Sequence, residues 1–345
     1  MIHPTRRRAL LGLGSALAAP ALARAQAGEA FRIGLVKLPS SGPVYIAQER
    51  GYFRDEGLAS ELVFFDAAAA VPTAVVSRDL DVGVVGLTAA AFNLAAKGGL
   101  RILAAQVREE PGFKLNAFLA TRRAWDAGLT GLDMLPGRRF GYTTAGSTMH
   151  YDVGLVARKY GFSLRQVTLV PLQTLSNLNA AFEGGQIEAA LLAALPSERF
   201  DRGGQGRVLA WAGDVTPYQV GGVIASPRAI AARRPTLERF VRAYQRAAAE
   251  YNAAFCTRDA AGAPVRGPGH DELLALVARG AEQPEADLAG HLPFIDGQAR
   301  LDVGSLLDQV AFWQENKLVD AAARPAAMFD LTFVPDQLNV PAAMR

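Results

Sequence analysis

Between Phe31 and Ala225 short apolar runs alternate with helix-like stretches, and this alternation constrains the fold more than any other feature. Phe31 to Lys37 reads as a strand, and Pro43 to Arg50 as a helix entered on a proline, whose fixed φ suits a first turn. Strands follow at Glu61 to Phe65, Val82 to Val85 and Leu100 to Val107, with helices at Val71 to Arg78 and Thr88 to Lys97 between them. Gly98-Gly99 stops the last of these helices. The pattern restarts after Glu109-Glu110-Pro111-Gly112. Strands are expected at Asn116 to Thr121, Arg139 to Tyr142, Val167 to Val170, Ile187 to Leu192 and Val208 to Ala212. Helices are expected after Thr148, ending at Lys159, and over Leu175 to Phe182. Val220 to Ala225 looks like a strand running back. From Pro235 the chain turns helical, over Thr236 to Phe255, Asp271 to Arg279 and Val303 to Asn316. Strands separated by helices predict an α/β fold with mostly parallel sheets covered on both faces. Two such halves predict two lobes, joined by crossing strands near Gln106–Leu115 and Gly213–Val220.

The first residues read as an export signal. Arg6-Arg7-Arg8 forms a positive segment, Ala9 to Leu22 an apolar one, and Ala23-Arg24-Ala25 or Ala25-Gln26-Ala27 a small-residue cleavage site. Residues 1–27 are therefore expected to be removed. Thr5-Arg6-Arg7-Arg8 before Leu10-Leu11 also resembles a twin-arginine signal, so the general secretory route and the twin-arginine route both stay open. No Cys lies near the cleavage region, which argues against a lipoprotein anchor. No later stretch has the ~18 consecutive apolar residues of a membrane span. Residues 1–25 hold four Arg and no acids. Removing those four from the 36 basic residues leaves 32 against 33 acidic ones, a net charge of −1, so the basic balance gives no reason to expect nucleic acid. Cys256 is the one cysteine, which rules out an intramolecular disulfide and reads as a buried thiol. The remaining ~320 residues suit two domains better than one.

In such sheets ligands sit beyond the carboxyl ends of the strands, where helix N-termini point. Four loops hold that position. Ser40, Ser41 and Gly42 follow the first strand, and hydroxyls at a helix start suit a polar or anionic group as well as a plain capped turn. Gly86 and Thr88 follow a Gly-rich strand, with Thr88 a natural N-cap. Gly146, Ser147 and Thr148 give the strongest anion cue, since a glycine, two hydroxyls and free helix N–H groups coincide. Ala194 follows the strand ending at Leu192 and precedes Pro196. No G-x-S-x-G elbow, H-E-x-x-H, P-loop or C-x-x-C occurs, so neither a catalytic set nor a cofactor is expected. The four His, His150 among them, show no metal spacing, and no metal site is expected.

Tyr45-Ile46-Ala47-Gln48-Glu49-Arg50-Gly51-Tyr52-Phe53-Arg54-Asp55-Glu56-Gly57-Leu58 resembles the opening of solute-binding proteins that feed ABC importers, in the branch that takes up sulfonates, nitrate and pyrimidine precursors. Asp79 to Gly86 looks like that family's G-x-x-D-x-G block. Gly146-Ser147-Thr148 with Tyr160-Gly161-Phe162 looks like its second-lobe anion loop. Ala181 to Ala189 looks like its A-x-x-x-G-x-(V/I)-D-A block, with Glu188 in the usual Asp place. The resemblance implies a two-lobed periplasmic-binding-protein type II fold. Residues 28–112 and 220–345 would form lobe I, and 113–219 lobe II. Ser40, Ser41, Thr88, Ser147, Thr148 and residues near Ala194 would line a pocket between them. It further implies a periplasmic monomer that is not an enzyme. It would bind a small organic anion, a sulfonate or carboxylate with aromatic ones included, and deliver it to an inner-membrane ABC permease. Two alternatives stay open. One is an enzyme like the thiamine-pyrimidine synthases of the same fold, although their chemistry uses a Cys-rich motif and His residues and this chain has one Cys. The other is a sensor module that presents a bound ligand to a membrane receptor.

Overall fold

A computed structural model describes residues 30–344; the expected export signal lies outside them. Among the described residues twelve strands form two five-stranded sheets and one small ribbon. The first sheet has the order β2-β1-β3-β12-β4, from β1 (Phe31–Val36), β2 (Ser60–Phe65), β3 (Val82–Gly86), β4 (Arg101–Ala105) and β12 (Gly221–Ala225). β1 runs parallel to β2 and β3, whereas β12 is antiparallel to both β3 and β4, with Val223 opposite Val84 and Ala104. The second sheet has the order β10-β6-β9-β7-β8, from β6 (Asn116–Thr121), β7 (Arg139–Tyr142), β8 (Thr168–Pro171), β9 (Ala189–Ala193) and β10 (Gly206–Trp211). β7 is parallel to β8 and β9, and β6 is antiparallel to β9 and β10. Between the sheets, β5 (Arg108–Glu109) and β11 (Tyr218–Gln219) pair as an antiparallel ribbon, the expected two crossings of the chain.

Each sheet carries its own core. Ile33, Leu35, Val82, Val84 and Val223 are fully buried in the first, and Phe118, Leu119, Phe140 and Leu191 in the second. Central strands such as Val82–Gly86 are apolar on both faces because helices cover both sides. The C-terminal helices Pro227–Phe255, His270–Ala281 and Val303–Glu315 pack on the first sheet, as their buried Phe240, Tyr244, Leu273 and Trp313 show. No described helix is long and apolar enough to cross a membrane.

The long helix departs from the sequence reading, which starts it at Thr236. Ser226 caps a helix that begins at Pro227, and non-helical angles at Arg233 (φ −142°, ψ 36°) kink it before Pro235. A proline lacks the N–H and crowds the preceding turn, so the chain bends there rather than starting afresh. The Cys256 thiol is half-buried and free, and burial pushes it up to about 11, away from the reactive thiolate.

Candidate functional site

The carboxyl ends of the parallel strands in the two sheets face each other across a cleft, and the loops there build its walls. Two connected chambers fill it. The inner one measures about 120 Å³ and the outer about 190 Å³. They share Leu38, Ser40, Leu115, Asn116, Leu175 and Ala193.

Thr88 borders the inner chamber because it caps the Ala89–Ala96 helix, its Oγ1 accepting from the Ala91 N–H at 3.3 Å. Ser147 does the same for the Thr148–Tyr160 helix, accepting from the His150 N–H at 3.3 Å. Each hydroxyl keeps its own hydrogen to donate. Thr148 stands at the first helical position, where the N–H has no intrahelical acceptor. Gly86 lies opposite it: a Cβ on Gly86 would sit 3.3 Å from the Thr148 methyl.

The remaining expected residues fall in different places. Ser40 borders both chambers and Ala194 the outer one. Ser41 lies on the inner wall, but its hydroxyl donates to the Val36 carbonyl at 2.9 Å and so closes a local turn. Gly42 and Gly146 border neither chamber. Gly42 packs under the Tyr251 ring, and Gly146, at φ +80°, packs under Ala89. The sequence reading passed over Gln106 and Asn116, both on the inner wall. Their only sequence signal is a single amide where an apolar strand meets a crossing segment.

The lobes touch across the cleft. The Ala89 N–H donates to the Gly146 carbonyl at 2.8 Å. His150 steadies that loop, since its Nδ1 accepts from the Gly146 N–H at 3.0 Å, and burial pushes its imidazole down to about 4, keeping it neutral.

Charge is distributed unevenly. Among the described residues no Asp, Glu, Lys or Arg borders the inner chamber. The outer chamber meets Lys114 and His291. Both bind Glu198 behind it, Lys114 Nζ at 2.7 Å and His291 Nε2 at 2.5 Å. Burial pulls Glu198 upward, but hydrogen bonds from Lys114, His291 and Arg202 outweigh it and hold the carboxyl at about 2. His291 Nδ1 also lies 2.7 Å from the Asp287 carbonyl.

Behind the inner wall lie two buried acids, Glu109 on the crossing ribbon and Asp152 on the Thr148–Tyr160 helix. Glu109 accepts from Asn116 Nδ2 at 2.7 Å, and Asp152 accepts from the Tyr218 hydroxyl at 2.9 Å and from Thr216 at 3.4 Å. Burial raises Asp152 to about 8 despite these hydrogen bonds. Burial, and then the charge of Asp152, raise Glu109 well above the carboxylate range. Among the described residues neither has a cation as partner, so burial favours the protonated form of each.

This is the two-lobed architecture of periplasmic binding proteins, with a cleft at the hinge. The chain belongs to the NMT1/THI5-like family, which it matches over residues 38–254. Solved structures share the fold. The alkanesulfonate-binding protein SsuA from Xanthomonas axonopodis pv. citri, bound to MOPS, superposes with a TM-score of 0.70 at 19% identity, covering 87% of this chain and 98% of that one. The periplasmic aliphatic sulphonate binding protein SsuA from Escherichia coli gives 0.69 at 19% identity, covering 91% and 94%. The periplasmic nitrate-binding protein NrtA from Synechocystis PCC 6803 gives 0.64 at 13% identity, covering 86% and 84%. No curated protein sequence matches this chain significantly.

Proposed function

We propose that this chain is the extracytoplasmic substrate-binding component of an ABC importer. In this reading residues 28–112 and 220–345 form one lobe and 113–219 the other. A small organic anion, a sulfonate or a carboxylate, is held between them and delivered by the periplasmic monomer to an inner-membrane permease. The observation that carries the reading is the enclosed cleft, walled by both lobes and closed by the Ala89–Gly146 hydrogen bond. The anion would be held without a cationic side chain, by the hydroxyls of Ser40, Thr88, Ser147 and Thr148 and the first N–H groups of the Thr148–Tyr160 helix. The apolar lining of the outer chamber, with Leu178, Leu192 and Leu195, suits an aliphatic or aromatic body. Hydroxyls, amides and aliphatic side chains form a set for holding a ligand rather than transforming it, which supports a binding role over an enzymatic one.

Closure follows from contacts that exist only when the lobes meet, so ligand and closed state stabilise each other. The test is a thermal-shift screen of the ligand-stripped protein against sulfonates, carboxylates, nitrate and pyrimidines. A ligand at ~100 times its Kd stabilises the folded state by ~2.7 kcal/mol. A hit in one chemical class supports the reading and names the substrate family. A flat screen on folded, stripped protein counts against it.

A further inference from the structure

His291 lies where the two halves of the molecule meet. Leu288 and Ile295, on either side of it in the chain, are fully buried in the first core. The Arg108 N–H of the crossing ribbon donates to the Phe294 carbonyl at 3.2 Å and ties the same segment to that side. Glu198 belongs to the Ala194–Arg202 helix, whose Phe200 is fully buried in the second core. The 2.5 Å contact between His291 Nε2 and Glu198 Oε1 therefore crosses from one half to the other. Leu195 of the same helix also packs against the first core, and both Leu195 and His291 border the outer chamber.

Both ring nitrogens of His291 face oxygen atoms. Nδ1 lies 2.7 Å from the Asp287 carbonyl, which can only accept, so Nδ1 carries a proton. Nε2 faces a carboxyl that Lys114 and Arg202 also bind, at 2.7 and 2.5 Å. Glu198 is held at about 2 and so is ionised, with no proton to give. Nε2 must then donate as well, and a ring with two N–H groups is an imidazolium. A neutral ring would turn a lone pair toward one of the two oxygens. The other charges around the ring do not replace it. Lys114 lies two residues before β6 and Arg202 on the Glu198 helix, so both hold Glu198 from its own half. Arg199 and Asp287 line the adjoining cavity with Arg202. Among these contacts the His291–Glu198 bond is the one that joins the halves.

We propose that the His291 imidazolium and the Glu198 carboxylate form a proton-dependent latch between the lobes, so that the closed, ligand-holding cleft weakens as pH rises through the imidazole range. The inference rests on the reading of the cleft as a ligand site and adds a control of its closure. The sign follows from the protonated form being the one that bridges. The latch contributes while the ring is charged and is lost when the ring gives up its proton, so closure and proton uptake favour each other. Lys114 and Arg202 keep Glu198 in place when the ring is neutral, so the loss falls on the lobe contact and not on the whole cluster.

The test is calorimetry on the ligand-stripped protein at about pH 5.5 and about pH 9, on either side of the imidazole range. The probes are benzenesulfonate, propanesulfonate and benzoate, which stay ionised at both. A probe that binds is expected to bind about fivefold tighter at the lower pH. His291→Gln and Glu198→Gln should each bring that ratio to about twofold or less, by weakening binding at the lower pH and leaving it near wild type at the higher. Asp152, raised to about 8, changes charge in the same interval, so the difference between wild type and variants is the readout rather than the wild-type slope alone. Equal affinities at the two pH values for every probe that binds overturn the inference and leave the binding role standing. A ratio that survives intact in the variants overturns the assignment to this pair. Failure of every probe counts against the binding role itself, and the latch falls with it. Cooperative melting of each variant is checked first at both pH values. Glu198 is the more solvated partner, so Glu198→Gln decides if His291→Gln does not fold.

Discussion

The Ala89 N–H lies 2.8 Å from the Gly146 carbonyl, so the first free donor of one lobe's helix is satisfied by the backbone of the other lobe. A Cβ added at Gly146 would lie 2.8 Å from the Ala89 Cβ, and φ is +80° there. Gly146→Ala is therefore expected to obstruct closure. It should weaken the ligand found in the screen by about tenfold or more, with a folding cost of only about 1–2 kcal/mol from the left-handed backbone. Calorimetry together with the radius of gyration in solution checks this. Unchanged affinity would mean that the lobes do not need this contact.

The buried pair behind the inner wall gives a signed pH dependence. Asp152 has an ordinary value of 3.8 and is raised to about 8 in the folded chain. The folded chain keeps a proton that the unfolded chain has released, so stability falls as pH rises across that window and levels off above it. Asp152→Asn retains the shape without the charge. It is expected to flatten the dependence and to exceed wild type at pH 8 by about 2 kcal/mol. Urea midpoints at pH 5 and pH 8 read the effect, and a variant with the wild-type slope between them would refute it.

Glu198 has the opposite sign. Its folded-state value is held at about 2, below the ordinary 4.5. Its contribution is fully present above 4.5 and is lost as pH falls through about 2. Glu198→Gln removes the common partner of Lys114 and His291 beside the outer chamber. The cluster is partly solvated, so the variant should lose only about 1 kcal/mol of folding stability. Acid titration of stability, compared between variant and wild type, separates this loss from general acid unfolding.

Gly280 allows the Tyr45 helix to pack against the His270–Ala281 helix. A Cβ there would lie 2.2 Å from Tyr45 Cγ, the ring atom least able to move. Alanine gains about 1 kcal/mol of helix propensity, yet the overpacking should dominate and lower stability by a net ~2 kcal/mol. A urea midpoint equal to or above wild type would show that the interface can separate without loss.

The architecture was readable because its determinants are local. Val82-Gly83-Val84-Val85 can only be a buried strand, and Thr88 and Ser147 announce the helices they cap. The crossing segments were also visible as breaks in the alternation. The walls of the cleft were less legible, because a hydroxyl's direction is not set by its spacing. Ser40 and Ser41 are neighbours with the same chemistry, yet one borders both chambers and the other turns back to Val36. Gln106 and Asn116 become wall residues through the path of the ribbon, which no local pattern encodes. The kink at Arg233 was hidden for a related reason: Pro235 signals a break, but neighbouring packing decides whether the chain bends or stops.

The place of β12 bears on how the molecule is made. It lies between β3 and β4, so that β4 has no other strand as a neighbour in its sheet. A ribosome must deliver Ala225 before that sheet can be completed, whereas every strand of the second sheet lies between Asn116 and Trp211 and is available earlier. The half of the molecule that begins first therefore finishes last. During synthesis β3 and β4 wait without the strand that joins them while the middle of the chain is already able to fold.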